Sequence, residues 1–206
     1  MDLALVGNTF HRERTEALLD EWIEGAPRKI YITADWENLM ARVRKDFFAR
    51  RADYVAQGLL GRTIMVRHVD GKIMKGVLSE IAAYDGSTKR TSEGATYQPG
   101  TVSISRKFGH YLIDIATGSD DKKEASCVTL RAIDVQKKGA AERIQGPGNV
   151  SDYLGLTSRT VQNYEGKPAW SRRFWIEGEP IAKGRVNWKK GNSDNCMGFY
   201  SFSLSD

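Results

Sequence analysis

Residues 60–78 read LGRTIMVRHVDGKIMKGVL. Ile64, Val66 and Val69 lie in a first apolar run, and Asp70-Gly71 supplies a turn pair that tolerates positive φ. Ile73, Val77 and Leu78 then resume the apolar set. Gly76 interrupts this second run, where a glycine marks a kink or a close backbone approach. The stretch therefore predicts a strand, a tight turn and a second strand that bends. A bent hairpin preceded by a helix opens many small, strongly curved barrels, and these serve binding more often than catalysis.

Working outward, the chain has 206 residues, 40% of them hydrophobic, enough for one fair-sized core or two small ones. Five Trp, eight Tyr and seven Phe favour packed structure over a solvated tail. Cys127 and Cys196 stand far apart, without a CxxC pair or a neighbouring His, and read as free thiols in a reducing compartment. No apolar run reaches the ~18 residues of a membrane span, and the apolar stretch in the first residues, MDLALVGNTFHRER, is too short for a secretory signal. The expectation is a soluble, cytoplasmic chain with no membrane partner.

The net charge of +5 is unevenly spread. Residues 1–41 carry eight acids and four bases, whereas residues 42–75 carry nine bases and three acids. Clustered Lys and Arg gain from counterion release at phosphates, so the basic middle reads as a polyanion-facing patch or, alternatively, as a solvated helix face.

Residues 1–34 pattern as strand, helix, strand, with KIYIT (29–33) as the second strand. A long helix is predicted from about 35 to 57, with Trp36, Met40, Val43, Phe47 and Tyr54 near one face and Arg42, Lys45, Arg50 and Arg51 elsewhere. Residues 85–100 form a polar loop. Thr101–Ser105 and Tyr111–Ile115 alternate around Lys107-Phe108-Gly109 as a hairpin, and Cys127–Val135 is the next strand. GAAERIQGPGN (139–149) reads as a linker. RFWIEG and AKGRVNW are predicted to pair as a hairpin, and GFYSFSL (198–204) alternates as a final strand.

Residues 60–78 resemble the first motif of the Sm-like family. Leu60-Gly61-Arg62, Val66, Asp70-Gly71-Lys72, Gly76 and Leu78 stand at matching spacing, although Ala83-Tyr84-Asp85-Gly86 replaces the usual Asp and Asn. The resemblance implies a small barrel, RNA binding and ring assembly. Residues 149–168, NVSDYLGLTSRTVQNYEGKP, resemble the helix-turn-helix of mercury-regulator-like and phage repressor-like regulators. Ser151, Gly155, Leu156, Thr157, Val161 and Tyr164 carry that spacing. Gly155 would make the turn and Thr157 or Ser158 would cap a second helix presenting Ser158, Arg159, Gln162 and Asn163 to DNA.

Catalytic signatures are scarce. His11, His68 and His110 are isolated and lack metal-ligand spacing, and no Walker, GxGxxG or GxSxG pattern occurs. LALVGNTFHRER (3–14) places Gly-Asn-Thr before a helix start, an arrangement that can cradle phosphate but is more often an ordinary strand–helix turn. Trp170, Phe174 and Trp175, interleaved with Arg172 and Arg173, are either a base-stacking platform or the core of a small β domain. Lys189-Lys190-Gly191 reads as a hairpin tip.

The combined reading is an α+β protein with three parts: an α/β unit with a long basic helix (1–58), a small β-barrel (59–138) and a helix-turn-helix or hairpin-rich region (149–206). Its expected function is non-enzymatic nucleic-acid binding, DNA more than RNA, as in small phage or plasmid regulators. Arg42, Lys45, Arg50, Arg51, Arg62, Lys72 and Lys75 would anchor phosphates. Ser158, Arg159, Gln162 and Asn163 would contact DNA from the second helix, with no cofactor and no metal. The alternative is a protein-interaction module, such as a virus-encoded inhibitor or assembly component, able to oligomerise, with 170–175 as its hot spot.

Overall fold

The computed structural model describes residues 42–85, 97–118, 126–180, 186–190 and 198–204. The chain divides into two compact units, Met1–Trp36 and Glu37–Asp206, and all described residues belong to the second. The strand–helix–strand pattern of 1–34, the 3–14 phosphate cradle and Cys196 lie outside the described residues.

The described elements begin with two short helices, α1 (Lys45–Phe48) and α2 (Ala52–Leu59). The single long helix expected through residue 57 is broken between them. Gly118 donates its N–H to the carbonyls of Phe48 and Arg50 (3.2 and 2.9 Å), and Arg51 turns extended at ψ 145°. Those carbonyls are thereby diverted from a helical ladder. In α2, Ala52, Val55, Ala56 and Leu59 fall at helical spacing and are fully buried.

β1 (Thr63–Arg67) and β2 (Ile73–Asp85) form the hairpin read from residues 60–78. Gly71 sits at φ 87° in the turn, and the Lys72 N–H donates to Asp70 Oδ1 at 2.9 Å. Gly76 is the close approach: a Cβ there would lie 2.9 Å from Ile133 Cδ1. β2 is the spine of the sheet. Its first half pairs with β1, and a bulge between Leu78 and Ile81 changes which side chains face the core. Beyond the bulge it pairs with β9 (Gly198–Leu204), while β5 (Ser126–Lys137) runs along its other edge.

β3 (Val102–Lys107) and β4 (His110–Thr117) form a second hairpin that adds to β5. β6 (Ala140–Gln145) pairs with β5 where β4 leaves it. β7 (Phe174–Glu177) flanks β1, and β8 (Val186–Lys190) flanks β9. The result is one antiparallel sheet ordered β3-β4-β5-β2-β1-β7, with β6, β8 and β9 branching from it. Its apolar face contributes Leu78, Ile81, Ala83, Ile113, Val128 and Ile133 to the core, with α2 packed against β2 and β5.

Three expectations are corrected here. The described part is a β-rich sheet rather than an α+β assembly of barrel and regulator domain, because β2 pairs on both edges and extends the sheet. It does not close into a five-stranded Sm-like barrel. The expected linker is strand β6, and the expected RFWIEG–AKGRVNW hairpin does not form: β7 pairs with β1, and β8 with β9.

The helix-turn-helix is also absent. α3 (Pro147–Tyr153) is its first helix, but the second is only a three-residue 3₁₀ turn, Val161–Asn163. Thr160 competes for the backbone: its Oγ1 accepts from Thr157 N (2.8 Å) and donates to Gly155 O (3.0 Å). Of Leu154, Val161 and Tyr164, expected to pack two helices together, Leu154 and Tyr164 are instead buried in the main core, while Val161 is only half-buried. Phe174 and Trp175 are buried as well, and Trp170 packs on Phe48 at 6.1 Å, which favours core over base stacking for that trio. Among the described residues no helix is long and apolar enough to cross a membrane.

Candidate nucleic-acid interface

Antiparallel pairing fixes which turns share an end of the sheet. β2 runs away from the β1–β2 turn, β5 runs back toward it, and β4 runs away again from the β3–β4 turn. The turns at 68–72, 108–109 and 138–139 therefore all project from one end. The Arg67 N–H donates to Arg173 O at 2.8 Å, which brings Arg172 and Arg173 there too. His68 Nε2 lies 3.0 Å from Leu154 O, tying in the loop that carries Ser158 and Arg159. Exposed Arg67, Lys72, Arg106, Lys138, Arg159, Arg172 and Arg173 thus give this end a basic character.

Phe108 stands at its most prominent point. It is 99% exposed, at the first position of a two-residue turn closed by the Lys107–His110 pair. Its φ is 51° and that of Gly109 is 86°, so both turn residues are left-handed, as in a type I′ hairpin. Asn, Asp or Gly ordinarily fills such a position, and a bulky side chain there stores strain. An aromatic ring held in an unfavourable conformation and given wholly to solvent is a functional signal. α3 braces the hairpin: His110 Nδ1 is 3.1 Å from Asp152 Oδ2, and a Cβ on Gly148 would lie 2.8 Å from the His110 side chain.

Below the tip, the sheet face opposite the core is polar. Asp114 accepts from the Thr129 hydroxyl, and the pair is buried (8% and 1% exposed). Next to Thr129 on this row stand Ala82 and then Ser201. Glu80, after the bulge, accepts from Ser201 Oγ at 3.2 Å and pairs with Arg131 at 3.3 Å. Among the described residues no cluster of His, Cys, Asp or Glu is arranged to hold a metal ion.

The sequence-derived contact residues are divided by the fold. Lys72, Ser158 and Arg159 are exposed and belong to the basic end, and Lys75 follows on β2. Gln162 and Asn163 lie on the 3₁₀ turn, farther along the same segment. Arg50 and Arg51 lie beside Gly118, at the opposite end of β4 from Phe108. Arg50 Nε donates to Phe47 O (2.8 Å), and Arg51 forks onto Asp53. Lys45 opens α1 near them. Arg42 lies 4.5 Å over the Trp175 ring and donates to Ser171 O. Arg62 donates to Gly58 O and Gly178 O, and burial pulls its guanidinium below its ordinary pKa while Glu179 opposes that shift. These last two hold the fold together.

Phe108 and Asp114 are the residues that sequence reasoning passed over. The signal for Phe108 was an aromatic directly before Gly in a predicted hairpin turn. For Asp114 it was one acid inside the apolar run YLIDI.

With this geometry in hand, the comparisons are direct. The family model of methylpurine-DNA glycosylase matches residues 46–193, and the chain belongs to that family. A relative from Chlorobium phaeovibrioides carrying the name 3-methyladenine DNA glycosylase is 28% identical over 184 residues, covering 73% of this chain and 93% of its own. One of the same name from Chlorobaculum tepidum is 29% identical, covering 57% and 66%. Another, from Clostridium perfringens strain 13, is 33% identical over 104 residues, covering 45% and 50%. This membership overturns the Sm-like and regulator resemblances, the reading as a phage or plasmid regulator or interaction module, and the expectation that the chain is not an enzyme.

Proposed function

We propose that this chain is a cytoplasmic DNA-repair glycosylase that binds duplex DNA at the basic end and hydrolyses the N-glycosidic bond of an N-methylated purine. The observation that carries this reading is Phe108, fully exposed and strained at a hairpin tip in a chain of a glycosylase family. A base inside a duplex is out of reach of chemistry, so such an enzyme must swing the nucleotide out of the stack. Apolar side chains inserted between base steps do this by unstacking them. Phe108 supplies that wedge, and Arg106, Lys138, Arg172 and Arg173 supply phosphate anchors around it, with Lys72, Lys75, Ser158 and Arg159 flanking them. Gln162 and Asn163 sit less favourably for base contact.

The chemistry fits a methylated purine. Alkylation at N3 or N7 leaves the base cationic, so cleavage of C1′–N expels a neutral base and needs no acid. Water must be delivered to C1′ and lose a proton. The test is release of free methylated bases from dimethyl sulfate-treated duplex DNA, followed chromatographically. The wild-type protein should release 3-methyladenine and leave abasic sites, and Phe108→Asn should be at least tenfold slower. No release by the folded wild type would refute the reading.

A further inference from the structure

Resting on that proposed base extrusion, we infer that α3 is a strut for the Phe108 wedge, with His110 and Asp152 as its positioning pair. The strand pairing shows why a strut is needed. β4 joins β5 from Asp114 to Thr117, and among the described residues 110–113 pair as strand with β3 alone. The Phe108 tip thus rides on a two-stranded ribbon, and such ribbons are marginal without a packing partner. Phe108 is 99% exposed and a Cβ on Gly109 would meet open space, so support has to come from beneath the tip. Parting a base step costs free energy, and a wedge that yields under that load inserts poorly.

α3 meets the ribbon along one face. Gly148 and Asp152 are four residues apart and therefore neighbours on the helix surface. His110 Nδ1 lies 3.1 Å from Asp152 Oδ2, and a Cβ on Gly148 would fall 2.8 Å from His110 Cβ and Cγ. The absent side chain is what lets the histidine lie against the helix. The far end of α3 repeats the arrangement at the β1–β2 turn. His68 Nε2 lies 3.0 Å from Leu154 O, and a Cβ on Gly155 would fall 2.3 Å from His68 Cε1. Carboxylates and carbonyls accept and do not donate, so both ring nitrogens carry a proton. Between these contacts Val150 and Leu154, both fully buried, root the segment in the core. It therefore ties the wedge ribbon to the turn that carries Lys72, fixing Phe108 relative to a phosphate anchor. Groups held in place before contact need less ordering when they engage. The His110 and Asp152 side chains are half exposed (52% and 53%), so removing either leaves the core intact.

The experiment uses the full chain and duplex DNA carrying 2-aminopurine beside a methylated purine. Stopped-flow fluorescence gives the unstacking rate, anisotropy the duplex affinity, and chromatography the release of base in a single turnover. His110→Ala and Asp152→Ala should each slow unstacking by about fivefold or more, with affinity within about threefold of wild type. The double variant should be no slower than the worse single, because both remove one contact. His110→Asn, whose amide places a donor where Nδ1 stood, should stay within about threefold of wild type. Gly148→Ala keeps both partners and gives α3 a better helix former, yet its Cβ displaces His110, so unstacking should slow here as well. If an alanine variant at 110 or 152 does not fold, as read from thermal melting, Gly148→Ala supplies the same test. Smaller slowing, multiplying losses in the double variant, a loss confined to affinity, or no recovery with His110→Asn would overturn the strut while leaving the glycosylase reading intact. A wild type that binds methylated duplex without unstacking the probe or releasing base would overturn both.

Discussion

Phe108 carries a conformational cost at the tip of an exposed hairpin. The left-handed region costs a residue with a Cβ roughly 1 kcal/mol or more, and Asn relieves part of that at a type I′ turn. Phe108→Asn should therefore raise stability by about 0.5–1 kcal/mol in chemical denaturation while weakening function, the opposite of an ordinary core substitution. Lys138 is the internal control. It sits at φ 52° before Gly139 in the equivalent β5–β6 turn, so Lys138→Asn should stabilise by a similar amount and, having lost one phosphate anchor, weaken duplex binding while still extruding the base once bound. Tyr164 gives a prediction in pH. Burial raises its phenol pKa above the ordinary 10.0, so the folded state holds the proton more tightly than the unfolded chain. That contribution is complete below pH 10 and is lost as pH rises above it toward the folded value. Tyr164→Phe should show a shallower alkaline loss of stability than wild type in melts taken from pH 8 to 11.

At the scale of elements, legibility followed local chemistry. The β1–β2 hairpin was readable because Asp70-Gly71 and the bend at Gly76 act through neighbours in sequence, and β3, β4, β5 and β9 were readable from their alternation. β6 was hidden because AAERIQ has Ile144 alone among the branched and aromatic residues that favour strands, and it forms by pairing with β5. The 149–168 segment misled for the converse reason. Its small, glycine and apolar positions serve one short helix and a loop pressed against the β1–β2 turn. A Cβ on Gly155, already at φ 76°, would fall 2.3 Å from His68 Cε1. Gly155→Ala should thus cost about 1–3 kcal/mol in stability, measured by urea unfolding, where a solvent-exposed regulator turn would lose less.

Over the whole molecule, charge was legible and its placement was not. The excess of bases in 42–75 is visible in sequence, yet Arg42 and Arg62 are consumed by the fold, and Arg50 and Arg51 lie at the far end of β4 from Phe108. The basic end is assembled from turns more than a hundred residues apart, which no local pattern reveals. Single alanine replacements of Arg106, Arg172 and Arg173 should each lower the salt dependence of duplex binding by about one charge, with Arg50→Ala leaving it unchanged. The polar face below the hairpin was invisible for a similar reason: Asp114 and Thr129 meet only across paired strands, as do Glu80 and Ser201. The central claim, that Phe108 wedges a nucleotide out of the duplex, is most directly measured by fluorescence of 2-aminopurine placed beside a methylated purine. Wild-type protein should produce a large rise in emission as the probe unstacks, and Phe108→Asn should bind with little rise. An equal rise with both proteins would contradict the account.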